Sequence, residues 1–123
     1  MKVINWKYIE IHDVKNCADI KVPHTVRFTD EERESLFNTI KKINQYNENL
    51  YFPRILASYA EFLILFKAWY KIYKVKEKGN FIWKVREFTE DSIKYKHPRS
   101  LLIPEYNFDN FLEMIDWMEK TLK

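Results

Sequence analysis

Three histidines and one cysteine, His12, His24, His97 and Cys17, are the residues of this chain best suited to bind a metal or move a proton near neutral pH. A zinc site needs three or four converging ligands, and their spacing matches no zinc pattern. One cysteine forms no internal disulfide and no Cys-x-x-Cys pair. His97-Pro98-Arg99-Ser100 gathers a base, a cation and a hydroxyl in one stretch, expected to be a loop, where catalytic groups often sit. No partner carboxylate is identifiable for them, and neighbours in sequence are not a catalytic constellation. The chain also holds a single glycine, Gly79. Phosphate-cradling loops, dinucleotide turns and the Gly-x-Ser-x-Gly elbow each need two or more glycines at fixed spacing, so all three are excluded. The expectation is a protein that is not an enzyme and needs no cofactor or metal.

Charge is the better clue. The net charge of +3, from 21 basic and 18 acidic residues, is too mild to announce a nucleic-acid binder. Its distribution is uneven. Ten basic and four acidic residues lie between Lys67 and Arg99, whereas Glu105 to Glu119 holds five acids and no base. The basic stretch interleaves lysines with aromatic residues, a mixture that stacks bases while neutralising phosphates. Its candidate contact groups are Lys71, Lys74, Lys76 and Arg86. The bland alternative is that these lysines solvate the outside of a sheet and discourage edge pairing. The acidic stretch offers a mirror surface, Asp109, Glu113 and Asp116, at helical spacing on one face. Its bland alternative is a solvated helix face. The aromatic content, 17%, is high for a core of this size, and Tyr46, Tyr51, Tyr95 and Tyr106 fall in or near expected loops where they would suit an interface.

These groups need elements to hold them. Residues 3–12 alternate and are rich in β-branched and aromatic types, which predicts a strand. Residues 20–28 alternate again, with Pro23 demoting them to an edge, so the two are expected to pair as an amino-terminal hairpin. Thr29-Asp30-Glu31-Glu32 reads as a capping box, and Leu36, Ile40 and Ile43 give a helix over 30–46 one buried face. Pro53 suits a helix start, and Tyr59, Phe62, Phe66, Trp69 and Tyr73 recur at steps of three and four, which predicts a helix over 53–66. Continuing it to Lys78 competes with ending it near Lys67 and a hairpin over 69–88 turning at Glu77-Lys78-Gly79-Asn80. Alternation on both sides of Gly79 favours the hairpin, a ribbon with one lysine-rich face and a single positive φ at Gly79. Residues 89–104 read as irregular. Asn107 is the expected cap of a last helix, 107–122, whose stripe is Phe108, Phe111, Ile115, Met118 and Leu122.

The sequence therefore predicts one α+β domain over 1–123: a small antiparallel sheet from two hairpins, with three helices packed mainly on one face. The longest apolar run, Phe62 to Phe66, is far short of the roughly 18 residues that span a bilayer, and no secretory signal is evident, so a cytoplasmic protein is expected. Residues with AT-rich codons (Lys, Asn, Ile, Phe, Tyr) far outnumber those with GC-rich codons. The expected function is a non-enzymatic interaction protein that binds and modulates, and is expected to inhibit, a macromolecular partner, foremost a protein, in the manner of an immunity or inhibitor protein of a bacterial or viral mobile element. The alternative is a small nucleic-acid-binding protein using residues 67–99. Sequence alone gives no oligomeric state.

Overall fold

The computed structural model describes residues 2–11, 24–44, 54–56, 61–65, 68–88 and 99–122. The elements run β1 (Lys2–Ile11), α1 (Asp30–Asn44), β2 (Arg54–Leu56), β3 (Glu61–Leu65), β4 (Trp69–Glu77), β5 (Asn80–Phe88), β6 (Arg99–Phe108) and α2 (Phe111–Thr121). The class is α+β, with every strand pair antiparallel in one sheet of order β1-β6-β5-β4-β3-β2.

Three local signals become the elements they predict. Glu32 N donates to Thr29 Oγ1 at 3.2 Å and Thr29 N to Glu32 Oε1 at 2.9 Å, so the capping box closes and α1 starts at Asp30. The β4–β5 hairpin forms with Glu77 opposite Asn80. The last helix forms too, though its cap is Asn110, whose Oδ1 accepts from Leu112 N at 2.8 Å, and not Asn107. Asn107 lies in β6 and donates its side-chain amide to the Glu105 carbonyl at 3.1 Å.

The hairpin turn is tighter than the sequence suggested. Lys78 (φ 50°) and Gly79 (φ 82°) are both left-handed, the signature of a two-residue type I′ loop that matches strand twist, and His24 (φ 61°) is a third positive φ. A Cβ at position 79 would meet nothing within 4 Å, so the glycine is needed for its backbone angle and not for space. Gly79→Ala is expected to lose about 1 kcal/mol and Lys78→Asn to gain about 0.5 kcal/mol, read as opposite shifts of the urea midpoint. Equal midpoints for all three proteins would contradict the turn assignment.

Three expectations fail. β1 does form, but the partner it has is β6 along its whole length, from Lys2 opposite Phe108 to Ile11 opposite Arg99, and among the described residues 24–28 do not pair with it as the expected amino-terminal hairpin requires. Of that second segment, residues 20–23 lie outside the described residues. Thr25 instead bridges Val75, and Val26 N donates to Lys74 O at 2.7 Å, filling the place beside β4 where β3 has ended. The helix over 53–66 is replaced by β2 and β3, paired Arg54 to Leu63 and Leu56 to Glu61. Residues 99–104, read as irregular, open β6. Pro104 is tolerated there because the β5 ladder stops at Glu105, so only β1 runs beside it.

Both described helices lie on one face of the sheet. Leu36, Ile40 and Ile43 of α1, with Met114, Ile115, Trp117 and Met118 of α2, pack on Phe62, Ile64, Tyr70, Ile72, Val85 and Phe108. Phe62 takes Phe28 and Phe37 edge-on at 5.3 and 5.6 Å, while Trp117 stacks on Tyr106 at 4.6 Å and Phe108 at 5.6 Å. The opposite face is buried as well around Lys71, Tyr73, Phe88, Ile103 and Glu105. A central strand buried on both sides is what decides the fate of the basic ribbon.

Candidate functional site

Strand alternation splits the lysines of β4. Lys74 and Lys76 share the helix-bearing face with Trp83 and Phe81 opposite them, while Lys71 sits on the other face opposite Arg86. The single lysine-rich face expected of the ribbon is therefore absent. Lys71 is fully buried and Lys74 is 3% exposed. Lys76 alone of the four basic candidates is exposed, with its ammonium 5.6 Å from the Phe81 ring.

Lys74, Lys84 and Arg86 each meet an acid. On the helix-bearing face, Lys74 Nζ donates to Glu32 Oε1 at 2.8 Å, and Trp83 Nε1 donates to Glu32 Oε2 at 2.5 Å. The carboxylate that closes the α1 capping box thus also ties that helix to two strands. On the opposite face, Glu105 receives Arg86 Nε at 2.8 Å, Lys84 Nζ at 3.3 Å and the Tyr73 hydroxyl, and the Arg86 guanidinium lies 5.4 Å from the Tyr73 ring. Lys84 also reaches Glu77 at 3.2 Å. Arg86, offered by the sequence as a surface contact, is a nearly buried internal counter-ion.

Burial acts to raise both carboxyls, but the donors outweigh it. Lys74, the Thr29 amide and the Trp83 indole hold Glu32 below the usual glutamate value, and Tyr73, Arg86 and Lys84 do the same for Glu105. Burial, together with the Glu105 charge, pushes the Tyr73 hydroxyl well up, so it stays a donor. Because the folded pKa values are depressed, both acids contribute stability that is complete above the unfolded value of about 4.3 and is lost as pH falls through the folded values. Urea midpoints are expected to be level above about pH 5 and to fall steeply below about pH 4, and the acid limb should flatten in Glu32→Gln and Glu105→Gln. An acid limb unchanged in both variants would contradict this.

The acidic candidates fare differently. Asp109, Glu113 and Asp116 are all exposed at the start and along the outside of α2, with Asp116 bound to Lys120 at 2.8 Å. Beside them, α1 and α2 flank a groove of about 420 Å³ lined by Glu31, Glu34, Thr39, Lys42, Ile115 and Glu119, among others. Lys42 approaches Glu119 to 3.6 Å, so its rim carries three carboxylates against one ammonium. Leu112, 70% exposed, stands one turn before Ile115 on the same side of α2. Sequence reasoning missed the α1 half of this surface, because Glu31 was read only as part of the capping-box segment and Glu34 was not singled out.

Cys17, His12, His97, Tyr46, Tyr51 and Tyr95 lie outside the described residues, and His24 is exposed in a turn. Tyr106 is half-buried, stacked on Trp117, and donates to Glu87 at 3.2 Å. Among the described residues no group of three or more His, Cys, Asp or Glu is placed to hold a metal ion, and no helix is long and apolar enough to cross a membrane. No protein-family model, curated protein or solved structure matches this chain.

Proposed function

We propose that this protein is a non-enzymatic interaction protein that binds a basic protein surface through its helix layer and thereby modulates, as an inhibitor or immunity protein does, the partner's activity. One observation carries the reading: Lys71, Lys74 and Arg86 are taken up by the fold, while Asp109, Glu113 and Asp116 stay on the surface beside the groove rimmed by Glu31, Glu34 and Glu119. Exposed carboxylates steer a basic partner, and Leu112 with the Ile115 floor offers it apolar contact. A nucleic-acid role through residues 67–99 keeps only Lys76 of its four named cations on the surface.

The test is capture from a lysate of the source cell on immobilised protein. Wild type and Lys76→Glu are expected to retain the same partner, and the triple variant Glu31→Lys/Glu34→Lys/Asp116→Lys to lose it. Retention by the triple variant, or nuclease-sensitive retention lost in Lys76→Glu, would overturn the reading.

A further inference from the structure

We propose that a second copy of this chain pairs with the outer edge of β1, joining two sheets into one about a two-fold axis at Trp6. The sheet ends in β1 on one side and β2 on the other, and the two edges differ sharply. β2 is three residues long, whereas β1 is ten and runs in unbroken register with β6. Alternate residues of an edge strand aim their N–H and C=O groups away from the neighbour they already have, so β1 carries such groups along about 30 Å. Natural edges are usually protected by shortness, a bulge, a proline or charged residues; β1 is long, in unbroken register and without proline, and its charged residues are Lys2, Lys7 and Glu10. Among the described residues nothing pairs with that edge.

Its sequence is self-complementary when turned on itself. Antiparallel pairing centred on Trp6 sets Lys2 of each copy opposite Glu10 of the other, so two opposite-charge pairs close the two ends. Between them Val3 meets Ile9, Ile4 meets Tyr8 and Asn5 meets Lys7. Sliding the register by two residues removes the match: one direction sets Lys2 opposite Tyr8, the other sets Lys7 opposite Lys7. Ile4 is 45% exposed on the helix-bearing side, opposite Tyr106, and the added strand would cover it. Because residues of like parity meet, both helix layers fall on one side of the joined sheet and both grooves stay open. The pairing does not depend on the proposed function.

The test is sedimentation equilibrium of the full chain with charge variants of the two end residues. Within the chain the register sets Lys2 opposite Phe108 and Glu10 opposite Ser100, so neither position lies opposite a charged residue of β6. Wild type is expected to dimerise. Lys2→Glu alone and Glu10→Lys alone should each weaken the dimer about tenfold, because both ends then oppose like charges. Mixing those two variants, or combining them in one chain, should restore it, since every end again pairs acid with base. A wild type that stays monomeric, or a dimer indifferent to the single reversals or not restored by the mixture, would overturn the proposal.

Discussion

Glu32→Ala is expected to lower the unfolding free energy by about 3–5 kcal/mol, the range seen when one partner of a buried ion pair is removed. The substitution does two things at once. It opens the capping box, worth about 1 kcal/mol, and it strands Lys74, which is 3% exposed and has its ammonium aimed at that carboxylate. The Phe81 and Trp83 rings, 4.4 and 5.8 Å from the ammonium, soften but do not replace the lost counter-charge. Lys74→Met should cost less, about 1–3 kcal/mol, because Glu32 keeps the Thr29 amide and the Trp83 indole as donors. The double variant should fall short of the sum, since the stranded charge is counted only once. Urea unfolding reads all three, and a loss below about 1 kcal/mol for Glu32→Ala would show that the pair is solvated.

Glu105→Ala is expected to cost about 4–5 kcal/mol, at least as much as Glu32→Ala. Glu105 is 1% exposed and answers two cations, Lys84 and Arg86, as well as the Tyr73 hydroxyl. Removing it leaves the cations close together in a nearly dry site and the tyrosine, itself 1% exposed, without an acceptor. Lys84 retains Glu77 at the exposed end of the hairpin, so Arg86 bears most of the loss. Glu105→Ala/Arg86→Met should recover part of it, about 1–2 kcal/mol, by removing the stranded charge while keeping its stem. If the double variant is less stable than Glu105→Ala, the guanidinium does not depend on this carboxylate.

The parts of the fold that were legible in the sequence are those whose cause is local. The Thr29–Glu32 box specifies the start of α1 within four residues, and alternation about Gly79 specifies the β4–β5 hairpin. What was illegible depends on distant pairing. β1 closes on β6, about a hundred residues away, where a contiguous hairpin was the economical expectation. The stretch around Phe62 misled because an aromatic at every third or fourth residue fits a helix, and a five-residue apolar run fits either element. Pairing of Glu61–Leu65 against a strand buried on both faces decides it.

The burial of the lysines was misread for a related reason. Lysines interleaved with aromatics look like a wet face when the acids that neutralise them are far away in sequence. Glu32 is 42 residues from Lys74, and Glu105 is 19 from Arg86. One signal was present: Lys71 differs in parity from Lys74 and Lys76, so one strand could not present all three on the same side. Asp109, Glu113 and Asp116 are exposed because helix spacing gives their face directly, although Phe108 of the expected stripe ends β6 and α2 starts only at Phe111.

The proposed surface depends on Lys71 and Lys74 of β4 being internal while Lys76 is exposed, and lysine reactivity tests that directly. Brief acetylation of the native protein, read residue by residue by mass spectrometry, should label Lys76, Lys78 and Lys120 rapidly. Lys71 and Lys74 should be labelled only at the rate of global unfolding. Labelling of Lys71 and Lys74 at the rate of Lys76 would return the basic ribbon to the surface and contradict the account.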